Sequence, residues 1–267
     1  NSIGRWIAAE VASHGVDVSH VVWTDDDRVG TYYMERGAPP RSSQVIYDRA
    51  ESAISHMRPE DLPSELFCSQ AARVFHTSGI TLGISSQSRQ TALRAIELAR
   101  GAGQLFSFDL NYRARLWSAS AARAACEPVM AQSDLIFLPI RDARPVCGTS
   151  SSDPAEVCRE LHLRWPRATI VVTRGNQGAV AIDPTGAFFE QSAYSAVEVE
   201  RLGGGDAFSA GYLSAFLSGN KTSDAIRWAC ATAAIKYTIP GDLPLIDPSL
   251  VAALVADESQ SGSAIQR

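Results

Sequence analysis

From about residue 60 onward the sequence alternates short β-branched or aromatic runs with helical stretches, and this alternation constrains the fold more than any other feature. Residues 74–77, 105–110, 134–138 and 169–173 read as strands. Residues 85–100, 114–131 and 154–163 read as helices between them; in the first, Ala92, Ala95, Ile96 and Ala99 share one face. Joining parallel strands takes a long crossover, usually a helix. The pattern therefore predicts an α/β fold, a mostly parallel sheet with helices on both faces. Two more strands are expected at 179–182 and 187–191. A glycine-rich turn opening a helix follows, then a helix at 223–236. Pro240-Gly-Asp-Leu-Pro244 separates it from a last helix at 248–256, and the tail, 257–267, is polar.

The first fifty residues break this rhythm. Ser2 is expected to cap a helix with Ile3, Trp6, Ile7 and Val11 on its apolar face, ended by His14-Gly15. Residues 18–24, 30–35 and 44–47 then read as three strands. Asp25-Asp26-Asp27 and Gly37-Ala-Pro-Pro40 supply the turns. Three strands in close succession leave no room for crossover helices, so 16–50 is expected to form a separate small β-sheet.

Composition narrows the function. The 267 residues suit one large α/β domain, and the net charge of −5 argues against a broad nucleic-acid surface. Five cysteines, at 68, 126, 147, 158 and 230, have no metal-binding spacing and suit reduced thiols in the cytoplasm. No hydrophobic run is long enough to cross a membrane, and no signal peptide is recognisable in the opening residues.

In open parallel sheets, ligands gather at the carboxyl ends of the strands. That directs attention to Arg113, to Arg174-Gly175 and to the turn Gly203-Gly204-Gly205-Asp206. Glycines let the backbone turn tightly and a ligand approach closely. The N–H groups of the helix start that follows suit a phosphate or a developing anion. Asp206 in the first helical turn has two open readings: a charge complementing the helix dipole, or a general base beside a phosphate. No Lys-Ser or Lys-Thr follows the glycines, so the turn is not a Walker loop.

Taken together these residues resemble the PfkB (ribokinase-like) carbohydrate kinases. Gly203-Gly204-Gly205-Asp206 matches the family's Gly-Ala-Gly-Asp turn with one Gly for Ala, and Asp206-Ala-Phe-Ser-Ala-Gly211 continues the match. Within the family the chain is most similar to 2-keto-3-deoxygluconate kinases. The segments that carry this are Gly30–Glu35, 40–50, 78–81, Phe108–Arg113 with Leu116-Trp117, and Gly241-Asp242. The resemblance implies a three-layer α/β/α domain spanning 1–267, with 16–50 as a β-sheet lid. It implies ATP with Mg²⁺, and in many members a monovalent cation such as K⁺.

It also implies roles. Asp206 would deprotonate the sugar's terminal 6-hydroxyl, and the N–H groups of Gly203, Gly204, Gly205 and Asp206 would hold charge on the transferred phosphoryl group. Tyr32, Tyr47, Arg49, Arg113 and Asp242 would bind the sugar acid, and Thr173, Gly175 and Gly178 would lie on the nucleotide side. Homo-oligomers through the lid are implied as well, covering Val21, Trp23 and Tyr33.

The sequence departs from the family pattern in three places. The resemblance implies about fifty residues before Asn1, within the usual domain size, with a first core strand and a sugar-binding Gly-Gly loop. Pro139 and Asp142 stand where an Asn-x-x-Glu metal-linked motif is expected, leaving Asp142 to reach a metal through water. Glu200-Arg201-Leu202 stands where many members have Asp-Thr-Thr. Two alternatives stay open: a kinase for fructose, ribose or a deoxy-keto-inositol derivative, and a non-catalytic sugar-binding or assembly homologue.

Overall fold

In the computed structural model, residues 1–37, 40–68 and 72–257 are described. Part of the expected turn at 37–40 and nearly all of the polar tail thus lie outside the described residues. The chain divides into two units. One is Asn1–Leu105 with Arg113–Trp117; the other is Phe106–Tyr112 with the chain from Ser118 onward.

In the first unit, helix α1 spans Ser2–Ser13. Its cap is Asn1, whose Oδ1 accepts from the Gly4 N–H, and not Ser2 as the sequence suggests. Strands β1 (Thr31–Glu35) and β2 (Gln44–Asp48) pair antiparallel with Tyr32 opposite Tyr47 and Tyr33 opposite Ile46. The expected third strand, 18–24, is not one. The Asp17 carboxylate accepts from the Ser19 N–H, and Val21 N–H donates to the Val18 carbonyl at 3.1 Å, so local turns take up backbone groups that a ladder needs.

Short helix α2 (Ala53–His56) leads to β3 (Val74–Ser78), then α3 (Gly79–Ile84) and α4 (Ser86–Gly101). Ser85 caps α4 through the Ser88 N–H and also donates to the Ser55 carbonyl, tying α4 to α2. The Arg113–Trp117 segment belongs to this unit. Leu116 packs so closely on Gly83 that a Cβ there would lie 2.7 Å from Leu116 Cδ2, and Arg115 donates to the Val45 carbonyl of β2.

The second unit carries β4 (Leu105–Asp109, all but its first residue), α5 (Ala119–Met130), β5 (Leu135–Pro139), α6 (Ile140–Asp142) and α7 (Pro154–Arg164). Then come β6 (Thr169–Thr173), β7 (Ala179–Ile182), β8 (Phe188–Gln191), α8 (Gly204–Leu217), α9 (Thr222–Tyr237) and α10 (Pro248–Asp257). Within this unit the strands run in the order β4-β5-β6-β7-β8. β4 to β6 pair in parallel, and β7 and β8 extend the sheet as an antiparallel hairpin. Helix α5 starts at 119 and not at 114. Ser118 Oγ caps it, and the preceding residues turn on the Arg113 carbonyl, which accepts from the Leu116 N–H.

The core explains why α8 is held firmly. Leu135, Phe137, Val171, Ala179 and Ala181 present one sheet face to Phe208, Tyr212 and Ala215 of α8 and to Ala225, Ile226 and Ala229 of α9. The Phe137 ring meets Tyr212 edge-on at 5.3 Å and Phe208 at 6.5 Å. Gly211 lets α8 close on α9: a Cβ there would sit 2.4 Å from Thr232 Oγ1. Among the described residues no helix is long and apolar enough to cross a membrane. None of the five cysteines is in a disulfide. Burial pushes the Cys147 and Cys158 thiols up to about 12, so both stay protonated near neutral pH.

Candidate active site

The glycine turn stands at the N-terminus of α8. Gly203 is the cap, in the left-handed region at φ +74°, and a Cβ there would fall 2.4 Å from the Asp242 carbonyl oxygen. Gly204 is buried against Tyr237; a Cβ there would lie 2.3 Å from Tyr237 Cε1. Gly205, in contrast, borders open space, and Asp206 is exposed. Two glycines thus admit close neighbours behind the turn, and the third keeps its front clear. The Gly204 N–H donates to the Arg201 carbonyl at 3.2 Å, and helix geometry leaves those of Gly205 and Asp206 aimed out of this end. An exposed carboxylate beside them can accept a proton while they hold negative charge.

Residues from the end of α9 and the loop after it form the back of the turn. Val199 and Glu200 N–H groups both donate to the Tyr237 carbonyl, at 2.8 and 3.1 Å. Arg201 lies over the Tyr237 ring, 5.9 Å from its centroid. The sequence-expected Asp242 is therefore brought to the turn, through its backbone against Gly203. Lys236 and Tyr237 escaped the sequence reading. A lysine ending an alanine-rich helix reads as a charge complementing the helix dipole, and nothing in the sequence distinguishes it from one.

Thr173, Gly175 and Gly178 lie in the hairpin between β6 and β7. Arg174 N–H donates to the Gly178 carbonyl at 2.7 Å, and Gly178 at φ +89° approaches Gln191 closely enough that a Cβ would lie 2.0 Å from its carbonyl oxygen. These glycines have a full structural reason in the hairpin itself. Asp142 ends α6, is 6% exposed, and has Arg141 Nε 3.9 Å from its Oδ1. Among the described residues no three His, Cys, Asp or Glu side chains gather as a metal cage. Mg²⁺ held by nucleotide phosphates, one or two carboxylates and waters requires no such cage.

The first unit gathers a second group. Tyr32 and Tyr47 face each other across β1 and β2 with ring centroids 6.2 Å apart, and the Arg49 guanidinium lies 4.3 Å from the Tyr47 centroid. Burial lowers the Arg49 pKa, and the nearby Arg113 charge lowers it further. An anion beside the Arg49 guanidinium would offset both effects. Tyr32, Tyr47 and Arg49 also stand in the wall of a cavity of about 530 Å³, with Val11, Val22 and Trp23 as apolar neighbours. Four of the five residues expected to bind a sugar acid thus belong to one unit, and the fifth, Asp242, belongs to the other.

Residues 1–246 match the family described as pfkB family carbohydrate kinase. The chain belongs to this family. As a PfkB kinase it transfers a phosphoryl group to a carbohydrate alcohol. It is 39% identical over 249 residues to a 2-dehydro-3-deoxygalactonokinase of Haloferax volcanii, covering 93% of this chain and 77% of that protein. It superposes with TM-score 0.86 on the crystal structure of a 2-dehydro-3-deoxygluconokinase from Thermotoga maritima, at 29% identity, covering 96% of this chain and 81% of that one. An Escherichia coli protein described as a putative ribokinase II, solved in complex with ATP and Mg²⁺, shares the fold with TM-score 0.85 at 19% identity, over 96% and 80% of the two chains. The ribokinase-like α/β architecture expected from the sequence is confirmed.

Proposed function

We propose that this PfkB kinase transfers the γ-phosphoryl group of ATP to the 6-hydroxyl of 2-keto-3-deoxygluconate. The observation that carries the sugar-acid reading is the Tyr32, Tyr47, Arg49 and Arg113 cluster: paired guanidiniums match a carboxylate's planar acceptors. Two of the proteins named above support it, since by name they act on 2-keto-3-deoxy sugar acids. The 39% identity to a galactonokinase favours a second reading, the epimer 2-keto-3-deoxygalactonate.

ATP supplies the electrophilic phosphorus. Asp206 accepts the proton of the sugar hydroxyl, and the N–H groups of the 203–206 turn hold charge as it develops on the phosphoryl oxygens. Preplaced donors of this kind contribute roughly 3–4 kcal/mol each to transition-state stabilisation. Asp242 orients sugar hydroxyls, and Thr173, Gly175 and Gly178 line the nucleotide. The turn's open front and exposed carboxylate fit Mg²⁺ arriving with the nucleotide, and Asp142 would reach it through water.

Arg49→Ala and Arg113→Ala test the carboxylate contact. Each should raise KM for the sugar acid about 10–100-fold, the worth of one hydrogen bond to a charged group, with KM for ATP unchanged. Equal effects on a neutral sugar would remove the carboxylate assignment.

We further place a second copy of the chain on the outer face of the small sheet, where Tyr33 is 62% and its strand partner Ile46 57% exposed. Light scattering is expected to report a dimer or larger; a monomer at micromolar concentration contradicts this.

A further inference from the structure

Lys236 is fully buried. Its Nζ donates to the Ile239 carbonyl at 3.0 Å and to the Gly241 carbonyl at 2.8 Å. Those carbonyls flank Pro240 in the loop whose next residue, Asp242, packs its backbone on Gly203. The residue after Lys236, Tyr237, packs its ring on Gly204 and accepts the Val199 and Glu200 N–H groups through its carbonyl. The ammonium therefore sits in the segment that backs both close contacts of the glycine turn. These two partners are carbonyl oxygens, which accept only, so they favour a cation.

A buried cation held by backbone carbonyls can be a monovalent metal ion or an ammonium of similar size. Here the chain provides the ammonium on a tether. The residues do not fit the K⁺ that the family resemblance implies, because Lys236 already uses these two carbonyls.

We propose that Lys236 is a positioning residue for the 203–206 turn, a built-in monovalent cation that makes phosphoryl transfer by this chain independent of K⁺. The inference rests on the reading of that turn as the anion hole. Lys236 does not touch the reacting atoms. It fixes the Ile239–Asp242 loop, and through Asp242 the backbone of Gly203.

The experiment compares wild type with Lys236→Ala and Lys236→Met in KCl, NH₄Cl and tetramethylammonium chloride at equal ionic strength, reading kcat and Tm. Wild type should show the same kcat and the same Tm in all three salts. Lys236→Ala should lose about 10²-fold in kcat, with K⁺ or NH₄⁺, but not tetramethylammonium, recovering at least about tenfold of that loss and raising Tm, as a ligand bound only to the folded state must. Lys236→Met, whose side chain fills the space, should lose activity without recovery. A lysine that merely caps α9 would lower Tm in both variants with no preference among cations, and that result overturns the proposal. So does a wild-type Tm or kcat that rises in K⁺ over tetramethylammonium, which needs no variant to fold. The Tm comparison requires no turnover, so absent kinase activity would reject the functional reading above while leaving the cation site still tested.

Discussion

Asp206→Asn is expected to lower kcat by about 10²–10⁴-fold, the usual worth of a general base, and to leave ATP affinity nearly intact. The carboxylate is exposed at the start of α8, so the isosteric amide removes a proton acceptor without disturbing packing. On the proposed mechanism the backbone donors of the turn remain in place and should still hold the nucleotide. Single-turnover kinetics separate the two effects, since the loss should appear in the chemical step and not in nucleotide binding. Activity within tenfold of wild type would show that another group takes the proton.

Gly203→Ala should be nearly as damaging for a different reason. The residue sits at φ +74°, where an L side chain is strained by roughly 1–2 kcal/mol, and its new Cβ would meet the Asp242 carbonyl oxygen at 2.4 Å. That neighbour is backbone, so the turn or the loop must shift. A displacement near 1 Å at such a site costs on the order of 10²-fold in rate. Gly205→Ala is the internal comparison, because its Cβ meets nothing within 4 Å. It should leave Tm unchanged or raise it, as replacing a helical Gly by Ala stabilises by up to about 1 kcal/mol. Equal losses of Tm in the two variants would mean that the close approach at Gly203 does not matter.

Much of the second unit was legible because local and tertiary preferences agree there. Residues 169–173 and 179–182 are apolar β-branched and alanine runs buried on both faces, and the structure places β6 and β7 on those same residues. The glycine turn was legible for a similar reason. Its sequence is costly unless something packs behind it, and Asp242 and Tyr237 do. Elsewhere the sequence misled. The run 18–24 carries three valines and a tryptophan, yet Asp17 and Val18 tie it into turns. The helix expected from 114 starts late because Leu116 and Trp117 pack on Gly83, far away in sequence. Arg49 and Arg113 are 64 residues apart by their numbers, and the fold brings the Arg113 charge near enough to add to the effect of burial in lowering the Arg49 pKa. Lys236 was invisible because its meaning lies in two carbonyls beyond the helix end, which no periodicity encodes.

ADP release by the purified protein, measured by a coupled assay with ATP and Mg²⁺ over a panel of sugars, tests the central claim most directly. The expected result is turnover of 2-keto-3-deoxygluconate or its galactonate epimer with kcat/KM at least about 10²-fold above fructose and ribose, the discrimination available when a buried charged contact is left unmade. Preferred turnover of fructose or ribose, with the sugar acids inert, would contradict it.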